Sequence, residues 1–136
     1  ETGTVCQYSS VRANSIFRRL AEHDVSFEQL QTQLQNSHDV HVILESENGN
    51  EIWSLVALAA RLEDVMRQAS TSNEPAVLAK YTFSLAKAFN LFYHNHKILA
   101  EENLVKRAVL ATAADAARRS LIAGLATMGI EVPEKM

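Results

Sequence analysis

The sequence contains few of the residues that build disulfides, tight turns or membrane spans. Its 136 residues include one cysteine, two prolines and four glycines. The single cysteine, Cys6, excludes an internal disulfide and fits a reducing compartment, for which we expect the cytoplasm. Scarce proline and glycine leave little material for hairpin turns, and no apolar run approaches the roughly 20 residues that span a bilayer. These absences favour a helical protein with no membrane partner, in which Cys6 is a small buried side chain.

Length, composition and charge are those of an ordinary soluble protein. Hydrophobic residues make up 47% and charged residues 21% of the sequence, and the length suits one domain over residues 1–136. The formal net charge is −3, whereas proteins that hold nucleic acid mainly by neutralising phosphates are usually basic. Any contact with nucleic acid should therefore be local. Because the first residue is Glu1 rather than methionine, we expect a fragment of a longer protein. We also expect the protein to be monomeric.

The sequence also lacks the short motifs of catalytic and metal sites. It has no phosphate-cradling glycine loop, no nucleophile elbow and no Cys-x-x-Cys pair. His94 and His96 are two residues apart, so on one helix they point in well-separated directions and cannot share a metal. His38 and His41 lie in a predicted loop without thiolate partners, whereas zinc normally needs three or four convergent ligands. We therefore expect no catalytic residue, metal or cofactor within these residues.

Apolar residues at helical spacing predict an all-α bundle. They predict four main helices at about 7–23, 51–69, 74–99 and 102–127. Ser26 is placed to cap a short additional helix within 24–36, and the polar segment 36–50 reads as an irregular connector. Trp53 is expected to widen the buried face of the second main helix. The many alanines of the fourth indicate close approach of a neighbouring helix.

The third predicted helix carries two faces. One is an apolar stripe, and the other is a polar stripe of Lys80, Lys87, Asn90, His94 and Lys97. Tyr93 lies at their border, near the far end of the helix. From the residues alone, Tyr93 either covers the end of the core or offers a stacking face to an unpaired base. The arginines of the first helix are likewise either solvated or bound to phosphate.

Three groups of residues resemble, in order, the motifs of arginyl-tRNA synthetases. Gln7-Tyr8 followed by Arg12, with Glu1-Thr2-Gly3 before them, resembles the passage from the catalytic region into the C-terminal anticodon-binding domain. The central signature of that domain is resembled by Glu74-Pro75, Tyr81, Leu85-Ala86, Phe89-Asn90 and Phe92-Tyr93. Its ending is resembled by Gly124-Leu125, Gly129-Ile130, Pro133-Glu134 and Met136. The resemblance covers essentially the whole chain.

The resemblance implies a helical bundle of the DALR anticodon-binding type. It implies a parent enzyme that joins arginine to its tRNA with ATP and magnesium, and a catalytic domain in the same chain as a partner. The two ATP-binding signatures of such an enzyme, a His-x-Gly-His type motif and a Lys-Met-Ser-Lys type loop, are missing here. These residues should therefore be catalytically silent on their own.

The resemblance also implies which residues meet the tRNA. In the family, the tyrosine matching Tyr93 and the terminal methionine matching Met136 lie at the anticodon. The residues matching Tyr8 and Arg12 belong to the tRNA-facing surface. We add two residues from the basic face beside the helix tip, His94 and Lys97.

The genetic code narrows what such a domain must read. Arginine codons share only their central G, so the domain must recognise the middle C of the anticodon and tolerate variation around it. A small local site suffices for this, which agrees with the acidic net charge.

A second hypothesis from a different class is a helical protein–protein interaction module, in which Lys80, Lys87 and Lys97 meet an acidic partner.

Overall fold

The computed structural model describes residues 2–134 and 136, with only the backbone of Thr2; Glu1, part of the first motif, lies outside them. The described residues form seven α-helices: α1 (Thr2–Glu22), α2 (Phe27–Leu34), α3 (Ser37–Glu45), α4 (Gly49–Ala60), α5 (Leu62–Ser72), α6 (Pro75–Asn95) and α7 (Leu104–Thr127). A 3₁₀ turn at Ile98–Ala100 lies between the last two. Over this part of the chain there is no strand, and the all-α prediction is confirmed.

The helices α6 and α7 form the centre of the bundle. α7 packs against α1, α2, α3, α4 and α6, and α6 also packs against α5. A Cβ atom added at Gly124 on α7 would lie 2.7 Å from Thr82 Oγ1 on α6, so the two backbones approach closely. Five alanines of α7 are buried: Ala108, Ala111, Ala113, Ala114 and Ala117. The close approach predicted from these small residues is confirmed.

The first helix packs as its spacing indicates. Ala13, Ile16 and Leu20 are buried in α1 against the core. Cys6 is 1% exposed, and burial raises the pKa of its thiol above the ordinary value. A raised pKa leaves little thiolate at neutral pH, so the prediction of a structural cysteine rather than a reactive one fits this environment.

The expectation of an irregular connector over 36–50 is wrong. Residues Ser37–Glu45 form α3, whose first turn is capped because the Asn36 side chain accepts a hydrogen bond from the Asp39 N–H at 3.2 Å. Its brief apolar run is too short to show a helical period, yet Ile43 is buried in the core. Gly49, which lies in the same predicted connector, begins α4. Because its flanking residues are polar, the sequence pattern did not predict α3, which tertiary packing stabilises.

The predicted helix 51–69 is two helices that meet at Arg61. The hydroxyl of Tyr81 on α6 donates to the carbonyl oxygens of Leu58 and Ala59, at 2.6 and 3.1 Å. The hydroxyl of Ser120 on α7 donates to the same Ala59 oxygen at 2.8 Å. Side chains from two neighbouring helices thus satisfy carbonyl groups that a continuous helix would pair internally. The expected burial of Trp53 is also wrong, because this side chain on α4 is 57% exposed.

We expect Tyr81→Phe to lower the free energy of unfolding by about 1–2 kcal/mol, because the carbonyl groups at the end of α4 lose a buried donor. Urea denaturation followed by far-UV circular dichroism measures this.

Burial raises the pKa of the Tyr81 phenol, and the Arg61 charge and a hydrogen bond with Ser120 lower this pKa by a smaller amount. Because the pKa is raised on folding, the contribution is complete below the ordinary tyrosine value near 10 and is lost as the pH rises past it. The difference in free energy of unfolding between wild type and Tyr81→Phe should therefore become smaller at alkaline pH. A difference that stays constant with pH would contradict this explanation.

The end of α6 differs from the prediction in a way that shapes the site. The helix stops at Asn95, where 74–99 was expected, and the backbone of His96 is extended. The His96 ring is buried, pairs through Nε2 with the Glu51 carboxylate on α4, and packs 4.8 Å from the Phe92 ring centroid. These contacts replace the last helical turn. Lys97 therefore does not continue the polar stripe of α6 but lies in the segment after it.

Candidate nucleic-acid interface

Two helices bring Tyr8, Arg12, Asn90 and Tyr93 together; we call these four residues the arginine cluster. Tyr8 and Arg12 are neighbours on α1 because residues four apart share a helix face, and α6 packs against α1. The Arg12 Cζ atom lies 4.8 Å from the ring centroid of Tyr8 and 4.7 Å from that of Tyr93. A guanidinium so close to two aromatic rings makes favourable cation–π contacts and is fixed in place.

Hydrogen bonds orient the same guanidinium. Arg12 Nη1 donates to Asn90 Oδ1 at 3.3 Å, and Nη2 donates to the Tyr8 hydroxyl oxygen at 3.2 Å. Both acceptors are neutral, and among residues 2–134 and 136 no carboxylate lies within ion-pair distance of Arg12. The positive charge is therefore oriented by neutral partners, with no counter-ion among the described residues. This arrangement suits a charge-assisted contact with an anionic ligand.

The two rings of the cluster present aromatic surface. Tyr8 is 48% exposed, and Tyr93 is half-buried in the last turn of α6. The fully buried Phe89 ring supports Tyr93 from inside the core, with centroids 6.1 Å apart. A fixed, partly exposed ring can stack an unpaired base at low cost in side-chain entropy.

A cleft of about 260 Å³ opens beside Tyr93, between α1 and the segment that follows α6. Its apolar base is formed by Ile16 and Ile98, which are both buried. Its rim carries the exposed side chains of Arg19 and Lys97. The cleft thus joins an aromatic wall, an apolar base and two cations.

The side chains of the remaining predicted residues, His94 and Met136, form no hydrogen bond, ion pair or ring contact with the cluster in the described structure. His94 is exposed on the last turn of α6. Met136 is exposed in the tail, and this tail runs back along α1, because Gln7 Nε2 donates to the Glu131 carbonyl oxygen at 2.8 Å. Five residues can span about 17 Å, so Met136 has the reach to approach Tyr8.

The predicted site residues did not include Asn90, Arg19 or His96, although Arg19 was one of the first-helix arginines that are either solvated or bound to phosphate. Asn90 accepts from Arg12, whereas Arg19 and His96 line the cleft. A signal for Arg19 was present, because it follows Arg12 by seven residues, or two helical turns, and therefore shares its face of α1. No comparable signal marks His96, whose position depends on where α6 ends.

The fold and this surface agree with one family of helical RNA-recognition domains. The chain belongs to the DALR anticodon binding domain family, which it matches over residues 6–136.

Its relatives are ligases that act on tRNA. It is 35% identical over 99% of its length to arginine–tRNA ligase of Bacteroides thetaiotaomicron, and 33% identical over its full length to arginine–tRNA ligase of Alkaliphilus metalliredigens. It is 35% identical over its full length to arginine–tRNA ligase 1 of Bacillus thuringiensis. The chain spans 21% of the length of each of these curated relatives. Within the described part of the chain, no helix combines the length and apolarity needed to cross a bilayer.

Proposed function

We propose that these residues are the anticodon-recognition domain of an arginine–tRNA ligase. The observation that carries the proposal is the arginine cluster, in which a guanidinium with no ion-pair partner among the described residues lies against two partly exposed tyrosine rings. Anticodon-loop bases are unstacked and can be read by aromatic faces and polar edges, while Arg12 supplies a charge-assisted contact to the loop. The relatives that match this chain are arginine–tRNA ligases, which supports this choice of tRNA.

The proposal assigns a role to each predicted site residue. Tyr93 stacks on a base of the anticodon loop, and Tyr8 holds Arg12 in position. His94 and Lys97 contribute local positive or polar groups beside the helix tip, and Met136 packs against the loop.

The parent protein, under this proposal, uses ATP and magnesium in a catalytic domain of the same chain and works as a monomer in the cytoplasm. The domain itself contributes recognition and no catalytic group.

Titration of the 136-residue chain with a stem-loop RNA of the arginine anticodon arm tests the proposal. Changing the middle C of the anticodon to U should weaken binding by about tenfold or more, because the loss of a read base edge costs roughly 1–3 kcal/mol. A change at the first anticodon position is the control and should have a smaller effect. Equal affinity for both middle bases contradicts the proposal. Absence of binding even at low salt contradicts it too, and would favour the protein–protein interaction module.

A further inference from the structure

We propose that the cleft lined by Arg19 and Lys97 is a second nucleotide subsite, which receives an unstacked nucleotide adjoining the one that stacks on Tyr93. Arg19 and Lys97 bind the phosphate of this nucleotide, and its base enters the apolar part of the cleft. The inference rests on the proposed function. It adds Arg19 as a binding residue and gives the RNA a second point of attachment.

The composition of the cleft favours a nucleotide over an apolar ligand. Its base is apolar at Ile16 and Ile98, and one wall is the Tyr93 ring. The His96 imidazole lines another part and is held by Glu51. A planar nucleobase fits between an aromatic wall and an apolar floor, and a polar ring can then reach the edge of the nucleobase.

The charges at the rim favour an anion. Arg19 and Lys97 are exposed on two different elements, α1 and the segment after α6. Among the described residues, neither side chain has a carboxylate within ion-pair distance. Two cations that face one cleft without acidic partners are an arrangement that a phosphate would neutralise.

The position of the cleft connects it to the arginine cluster. Tyr93 belongs to both, because its ring lies against the Arg12 guanidinium and the residue is also part of the cleft lining. Arg12 and Arg19 lie two turns apart on one face of α1, which is about 10.5 Å along the helix axis. Consecutive phosphates in an extended strand are several ångströms apart, so a short stretch of loop backbone can reach both arginines.

Arg18 provides a matched control. It is an exposed arginine next to Arg19 on α1, and it does not line the cleft. Arg19→Ala should weaken stem-loop binding about tenfold at low salt and reduce the slope of log affinity against log salt by about 0.7, the loss of one single-strand phosphate contact. Arg18→Ala should keep the wild-type slope. Arg19→Lys should retain the slope because it retains the charge.

A chemical change in the RNA locates the contact. Neutralising the loop phosphates one at a time as methylphosphonates should weaken wild-type binding at one position where Arg19→Ala causes no further loss. Far-UV circular dichroism melting of each variant checks that the fold is intact.

If the wild type binds and Arg19→Ala behaves like Arg18→Ala, the second subsite is wrong while the proposed function stands. If the wild type binds no stem-loop, the proposed function fails and the subsite fails with it.

Discussion

Tyr93→Ala should weaken binding of the arginine anticodon stem-loop by roughly tenfold to a hundredfold, since one base–aromatic stack is worth about 1–3 kcal/mol. The substitution also removes one of the two rings that lie against Arg12. Tyr93 is half-buried at the end of α6 and also packs against the core, so far-UV circular dichroism melting checks that the variant is folded. Isothermal titration of the 136-residue chain measures the change.

Two control variants separate stacking from other effects of Tyr93→Ala. Tyr93→Phe keeps the ring and should bind within about twofold of wild type, because the described structure shows no hydrogen bond from the Tyr93 hydroxyl. Trp53→Ala removes another exposed aromatic, on α4, which lines a different groove. It should leave binding unchanged. Wild-type affinity in a folded Tyr93→Ala chain would remove Tyr93 from the site.

Gly49→Ala should lower the free energy of unfolding by about 3 kcal/mol, at the upper end of the usual cost of overpacking. A Cβ atom at this position would lie 1.8 Å from the Leu44 carbonyl oxygen and 2.6 Å from its carbonyl carbon. These are backbone atoms, so no side-chain rotation relieves the clash. The turn between α3 and α4 would have to open, which displaces Ile43 and Ile52 from the core.

Gly3→Ala is the matched control for Gly49→Ala. Gly3 lies in α1, and among the described residues an added Cβ there would meet the Ile130 Cδ1 atom, at an ordinary 3.4 Å. Because alanine is the better helix former, this variant should be neutral or more stable by up to about 1 kcal/mol. Urea denaturation compares the two. Equal stability of the two variants would show that the turn before α4 is not tightly packed.

The long helices were predictable because their own residues determine them. The apolar spacing of α1, α6 and α7 places Ile16, Phe89 and Leu121 in the core, as the periodicity indicates. α3 was not predictable in the same way, because its nine residues are too few to establish a period and its flanks are polar. The division at Arg61 depends on hydroxyl groups of Tyr81 and Ser120, which come from distant parts of the sequence.

The candidate site, like the fold, was only partly predictable from the sequence. Tyr8, Arg12 and Tyr93 could be named from motifs and from helix position. Their mutual geometry could not, because Arg12 and Tyr93 are 81 residues apart and meet only when α1 packs on α6. The position of Lys97 was misjudged for a related reason: α6 ends early, where the buried His96 pairs with the exposed Glu51 of α4.

The sequence by itself determined the helical class, the core faces of the long helices and the family, because local propensity and ordered motifs are encoded residue by residue. Only the tertiary structure decided where α4 and α6 end and that a guanidinium lies against two tyrosine rings. It also decided that Arg19 rather than Arg18 borders a cleft. Each of these features depends on contacts between distant segments, which only the packing of the helices creates.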